Sequence, residues 1–152
     1  MSYTATDCMS KNIKSVPPEM NAKEALKILI GSGASGLPVI DSQGYPLGVF
    51  TEKEVLKAIM PVYLKDVGNF VYGEDSKAEL KKLAHLDKFQ VKDVMRKEVP
   101  TVSEETSLTE VSHVMVTKNE RRVIVVKGKK AVGVITRADV VQALAREAGV
   151  SL

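Results

Sequence analysis

Two four-residue stretches carry the residue types that could do chemistry: Thr51-Glu52-Lys53-Glu54 and Thr136-Arg137-Ala138-Asp139. In each, a threonine stands three positions before a carboxylate, where an apolar run of strand character gives way to a helical pattern. At a helix N-terminus, free backbone N–H groups and the positive end of the helix dipole favour a phosphate, and the threonine hydroxyl can donate a hydrogen bond to it. A carboxylate one turn along can accept from both hydroxyls of a ribose diol, a task that suits the short Asp139. Arg137 could add positive charge near the phosphate, or simply be solvated. The same spacing is also a helix cap, worth about 1 kcal/mol and needing no ligand. What raises the binding reading is placement, because both motifs fall at equivalent points of a duplicated unit.

The duplication is read directly from the residues. Asp7-Cys8-Met9 returns as Asp93-Val94-Met95, and Ile13-Lys14-Ser15-Val16 as Val99-Pro100-Thr101-Val102. Ala22, Ala25, Leu29 and Ile30 recur as Leu108, Val111, Met115 and Val116, an apolar stripe at helical spacing. Gly48-Val49-Phe50-Thr51 recurs as Gly133-Val134-Ile135-Thr136. Each copy predicts an extended opening, an amphipathic helix, a strand, a turn, a second strand and a final helix. The first helices are capped by Asn21 and Ser107 and run to about 32 and 118; the last cover 52–60 and 137–147. The strands are Leu37–Ile40 and Val123–Val126, with hairpin partners Leu47–Phe50 and Ala131–Ile135. One such unit is small for an independent core, so the two are expected to pack about a pseudo-two-fold axis with a cleft between them.

Residues 61–90 have no counterpart in the repeat. They predict an irregular stretch around Pro61, Gly68 and Gly73 and a helix over 76–88, capped by Ser76 with Glu79. Its stripe of Leu80, Leu83, Leu86 and Phe89 requires burial, against this chain or against a partner. The expected organisation is therefore a first repeat over 1–60, a partly helical insert over 61–90 and a second repeat over 91–152, in an α+β fold.

Other motifs give less. Gly31-Ser32-Gly33-Ala34-Ser35-Gly36 matches the dinucleotide fingerprint in letters, but a helix precedes it and a strand follows, the reverse of what a pyrophosphate needs. Its glycines read as a helix C-cap and a tight turn into the strand. His85 and His113 lack metal-ligand spacing, and Glu104-Glu105 reads as favourable charge before a helix. No nucleophile, metal site or cofactor motif supports an enzyme. The chain has 152 residues, 44% hydrophobic and 27% charged, with 22 Lys+Arg against 19 Asp+Glu. It has no apolar run long enough for a membrane span. A net charge of +3 spread along the chain, 5% aromatics and no tryptophan give little support for nucleic-acid binding. One cysteine, Cys8, excludes an internal disulfide and suits a reducing compartment, and the N-terminal residues show no secretory signal, so a cytoplasmic protein is expected.

In this order and twice over, Asp-x-Met, Val16 and Val102, Leu37-Pro38-Val39-Ile40-Asp41 and G-V-[FI]-T-x-x-[ED] resemble a tandem pair of cystathionine-β-synthase (CBS) domains, a Bateman module. The resemblance covers roughly 7–60 and 91–147. It implies two β-α-β-β-α repeats about a pseudo-dyad, two potential nucleotide sites in the cleft, and pairing into a disc-shaped homodimer. Carried over, the first site joins Thr136, Arg137 and Asp139 to Ile13, Lys14, Ser15, Ser35, Gly36, Leu37 and Pro38. Backbone groups of Ser35–Leu37 would meet the adenine edge. The second site joins Thr51 and Glu54 to Val99, Pro100, Thr101, Arg121, Arg122 and Val123. There Glu54 replaces the usual Asp and Ile124 stands where Pro is common, so this site is expected to be empty or weaker, although Arg121 and Arg122 would supply phosphate charge. The expected protein is a non-enzymatic regulatory module for energy sensing. Its ligand would be an adenine nucleotide, most simply AMP, with ADP, ATP or S-adenosylmethionine as competitors, and no metal or catalytic cofactor. Its signal would pass by conformational change to an unidentified effector protein. The alternative is a ligand-free dimerisation or interaction module in which Thr136 and Asp139 are only caps.

Overall fold

The computed structural model describes residues 3–60 and 76–151, with the backbone alone over 76–79. In chain order the elements are α1 (Ala5–Cys8), α2 (Ala22–Ser32), β1 (Gly36–Ile40), β2 (Pro46–Thr51), α3 (Glu52–Ile59), α4 (Ser76–Ala84), a 3-10 turn (Leu86–Lys88), α5 (Val91–Val94), β3 (Thr101–Ser103), α6 (Leu108–Thr117), β4 (Arg122–Lys127), β5 (Lys130–Thr136) and α7 (Arg137–Glu147). The fold is α+β, with a two-stranded sheet β1-β2 and a three-stranded sheet β3-β4-β5. Among the described residues no helix is long and apolar enough to cross a membrane.

The local signals act as the residues dictate. Asn21 Oδ1 accepts from the N–H groups of Lys23 (2.9 Å) and Glu24 (3.3 Å), and Ser107 Oγ accepts from Glu110 (3.2 Å), which starts α2 and α6. α2 stops at Gly33, whose φ of 72° is left-handed, and β1 begins three residues later, so the glycine-rich stretch is a C-cap followed by a strand. The equivalent stop of α6 is met by Asn119 at φ 52°. Of the apolar stripe, Ala22, Ala25 and Leu29 are buried, as are Leu108, Val111 and Met115. Ile30 and Val116 are 71% and 79% exposed, because one step past a buried residue turns the side chain about 100° around the helix.

The chain divides into two compact units, and neither is one copy of the repeat. The first comprises 1–15, 40–47 and 98–152, and the second 16–39 and 48–97. Each unit therefore combines the body of one copy with the opening of the other.

In the first unit, β3 runs parallel to β4 (Val102 opposite Val125) and β4 antiparallel to β5 (Arg122 opposite Thr136), with a bulge between Val125 and Val126. The core holds Val102, Leu108, Val111, Met115, Val123, Val125, Ile135, Val140 and Ala143, and Ala5 of α1 is buried among them. α1 is tied in by Ala5 N–H donating to Thr106 O (2.8 Å) and Leu108 N–H to Tyr3 O (3.0 Å). Two further bonds, Ser10 N–H to Val134 O (2.9 Å) and Val134 N–H to Ser10 O (3.0 Å), lay the segment after α1 along β5.

The second unit repeats this device. α5 is held by Val91 N–H donating to Met20 O (2.8 Å) and Lys92 N–H to Pro18 O (3.0 Å). Arg96 and Val49 exchange two bonds of 2.9 Å, as Ser10 and Val134 do in the first unit. Its opening strand is reduced to a single parallel bridge, Val16 to Val39, where the first unit has three ladder pairs. Pro17 and Pro18 follow Val16 and have no N–H to extend the ladder. The predicted 76–88 helix is broken after Ala84 into α4 and the 3-10 turn. Of its stripe Leu86 is buried at 1%, whereas Leu80 is 67% and Phe89 49% exposed. The stretch around Pro61, Gly68 and Gly73 and the Ser76–Glu79 side chains lie outside the described residues.

Candidate functional site

Both threonines cap their helices, but unequally. Thr136 Oγ1 accepts from Asp139 N–H (3.2 Å), and Asp139 Oδ2 accepts in return from Thr136 N–H (2.9 Å), which closes a capping box on α7. Thr51 Oγ1 accepts from Glu54 N–H (3.1 Å) without the reciprocal bond. The longer glutamate does not fold back as the aspartate does.

The capping box leaves chemistry to spare. A hydroxyl has one proton to donate and two lone pairs, and among the described residues only the acceptor side of Thr136 is engaged. Its proton is available to an anion. Asp139 commits one lone pair of Oδ2, leaving Oδ1 as an acceptor for a hydroxyl. The backbone at this helix start has less to give, since Arg137 N–H donates to Arg121 O (3.1 Å) and Asp139 N–H to Thr136. Asp139 is half-buried and lines a cavity of about 220 Å³ with Tyr3, Asp7, Cys8, Gln142 and Arg146. Burial, followed by the negative charges of Asp7 and Asp139, pushes the Cys8 thiol above its ordinary value of 9.0.

Arg137 is drawn to the turn between α6 and β4. Its Nε donates to Glu120 O (3.0 Å) and a terminal nitrogen to Asn119 Oδ1 (3.2 Å). An anion at Thr136 would meet only the remaining guanidinium donors.

The other predicted residues fall as follows. In the first unit, the parallel pairing sets Thr101 opposite Ile124, and Ile124 N–H donates to Pro100 O (3.0 Å), which brings the end of the 99–101 segment to the start of β4. Pro100 and Val123 are buried, Val99 and Arg122 half-buried, and Thr101 and Arg121 exposed. Next to this ladder, Val99 and Pro100 line a cavity of about 600 Å³ with Glu98, Lys118 and Glu120. Ile13 is half-buried and Lys14 and Ser15 are exposed. In the second unit Gly36, Leu37 and Pro38 are buried in β1, with Ser35 half-buried just before it, and Val16 N–H donates to Pro38 O (3.0 Å). Each unit thus carries part of each predicted residue set. Sequence reasoning passed over Asp7, Gln142 and Arg146 as neighbours of Asp139. For Gln142 and Arg146 the signal was there, three and seven places along one face of α7.

The family profile described as CBS domain matches residues 5–61 and 91–146. The solved structure of CBSX2 from Arabidopsis thaliana superposes with a TM-score of 0.78 at 25% identity, over 99% of this chain and 100% of that one. CBSX2 in complex with AMP superposes with a TM-score of 0.73 at 26% identity, over 96% and 98%. An uncharacterized protein of Methanocaldococcus jannaschii is 26% identical over 140 residues, 92% of this chain. The chain spans 31% of that relative's length and 63% of the curated chloroplastic CBSX2.

Proposed function

From the premise that the chain belongs to the CBS domain family and carries the domain twice, we propose that it is a regulatory module sensing an adenine nucleotide. Two repeats, 1–60 and 91–152, flank the insert 61–90 in this reading. The observation that carries it is the Thr136–Asp139 box, which holds both side chains still while keeping a hydroxyl proton and a carboxylate oxygen for a ligand. A relative 26% identical to the chain is known in complex with AMP, which supports the same ligand class here.

In the proposed main site Asp139 takes the ribose diol and Thr136, with the spare donors of Arg137, the phosphate. Ile13–Ser15 and Ser35–Pro38 receive the adenine. Thr51 and Glu54 with Val99–Thr101 and Arg121–Val123 form a weaker second site, because Glu54 lacks the reciprocal bond that fixes Asp139. Binding shifts the module between two shapes that differ in affinity for the nucleotide, and a homodimer passes the change to an effector protein.

Calorimetric titration with AMP, ADP, ATP and S-adenosylmethionine tests this. AMP is expected to bind, Asp139→Asn to weaken it roughly ten- to a hundredfold by removing a charged acceptor, and Glu54→Gln to leave it almost unchanged. Absence of heat with all four ligands overturns the reading.

One observation favours a second reading, a ligand-free pairing module. Large apolar side chains are exposed at equivalent places in both copies: Ile30 and Val116 on the first helices, Leu56 (58%) and Val141 (64%) on the last. In that case no nucleotide shifts the melting temperature, while Leu56→Glu with Val141→Glu lowers the mass measured in solution from dimer to monomer.

A further inference from the structure

The second unit holds a concavity lined by the insert and the residues that flank it. It measures about 600 Å³ and lies where α3, the end of α4, the 3-10 turn and α5 meet. Ile59, Leu86 and Val94 are its buried floor, and Phe89, half exposed, stands at its side. Lys81, Lys82 and Lys88, all exposed, surround it. Among the described residues the one acid at its lining, Asp93, already accepts from Gln90 N–H through Oδ2 (2.9 Å). Among the described residues no carboxylate pairs with the three ammonium groups.

Volume, lining and charge select a ligand class. A cavity of this size with an apolar floor and few polar groups suits a small organic molecule. Burial of a hydrocarbon chain there gains about 0.8 kcal/mol per CH₂. Lysine stems lie along apolar surface and keep their heads in water, so they can hold a negative group only at the mouth. A carboxylate cannot follow the chain inward without a partner.

We propose that this concavity binds a medium-chain fatty acid, its chain on Ile59, Leu86, Val94 and Phe89 and its carboxylate among Lys81, Lys82 and Lys88. The site is independent of the nucleotide reading. Its residues come from the insert and its flanks, and it shares none with the threonine-led helix starts.

The test is titration of the full chain with decanoate, below its micelle threshold, followed by calorimetry. Saturable one-to-one binding is expected. Lys81→Glu with Lys82→Glu is expected to weaken it roughly tenfold, the scale of two exposed charge pairs. Ala58→Trp, on an exposed position of α3 at the same concavity, is expected to abolish it. Should the tryptophan variant fail to fold, the lysine pair decides. The proposal is overturned if decanoate does not bind, if decanol or decyltrimethylammonium binds as tightly, or if binding survives both variants. Adsorption to anionic lipid vesicles without binding of free decanoate overturns it too, and assigns the lysines to a membrane surface.

Discussion

Gly48 and Gly133 stand at the same place in the two copies, and each faces a methionine from the opening of the other copy. A Cβ on Gly133 would meet the side chain of Met9. A Cβ on Gly48 would meet Met95 Sδ at 2.7 Å and, closer still, the carbonyl oxygen of Arg96. The shared contact explains why Asp-x-Met and Gly-Val recur together: the acid caps a four-residue helix and the methionine lies on a backbone stripped of its side chain. The difference teaches which copy is more tightly built at this joint. In the first unit the obstacle is a side chain that can swing; in the second it is main chain that cannot.

That contrast is broken or sharpened first by paired alanine substitutions. Gly48→Ala is expected to cost about 3 kcal/mol and Gly133→Ala about 1 kcal/mol, the upper and lower ends for overpacking. Urea unfolding measures both, and equal costs would show that Arg96 yields as easily as Met9. The second contrast is between the caps. Thr136→Ala removes half of a closed box and is expected to cost about 1 kcal/mol, against roughly 0.5 kcal/mol for Thr51→Ala. Melting temperatures rank them, at about 2–4 °C per kcal/mol for a chain of this size. The smallest effect concerns Cys8. Its thiol is raised in the folded chain, so unfolded chains lose that proton first as pH climbs past 9.0. The contribution is fully present below pH 9.0 and is lost through the higher folded value. Cys8→Ser is therefore expected to flatten the alkaline limb of the stability curve slightly, and iodoacetamide should react more slowly with the folded chain than with the unfolded one.

Much of this architecture was legible because the chain states it twice. The strands, hairpin turns and capped helices follow from local patterns, and matching at offsets of 86 and 85 raised each weak signal. What local pattern could not show is which body each opening joins, since nothing near Tyr3 or Ala5 points to Thr106 or Leu108. The Ile30 and Val116 positions look apolar in sequence yet lie one step off the buried face. In the insert, Leu80 and Leu86 have the same residue type, yet one is exposed and the other buried, on either side of the break after Ala84. At the candidate site the Thr–Asp spacing forms the cap its pattern predicts. The tie from Arg137 to Asn119 and Glu120 depends on an arginine reaching across a turn, which spacing alone does not reveal.

The exchanged openings also set a timetable for synthesis. Tyr3 and Ser10 find their backbone partners at Leu108 and Val134, roughly a hundred residues further on. On a ribosome, Tyr3 and Ser10 must wait for these partners until β5 has emerged, so the first unit closes late. The second unit draws only on residues up to 97 and can finish while the remainder is still being made.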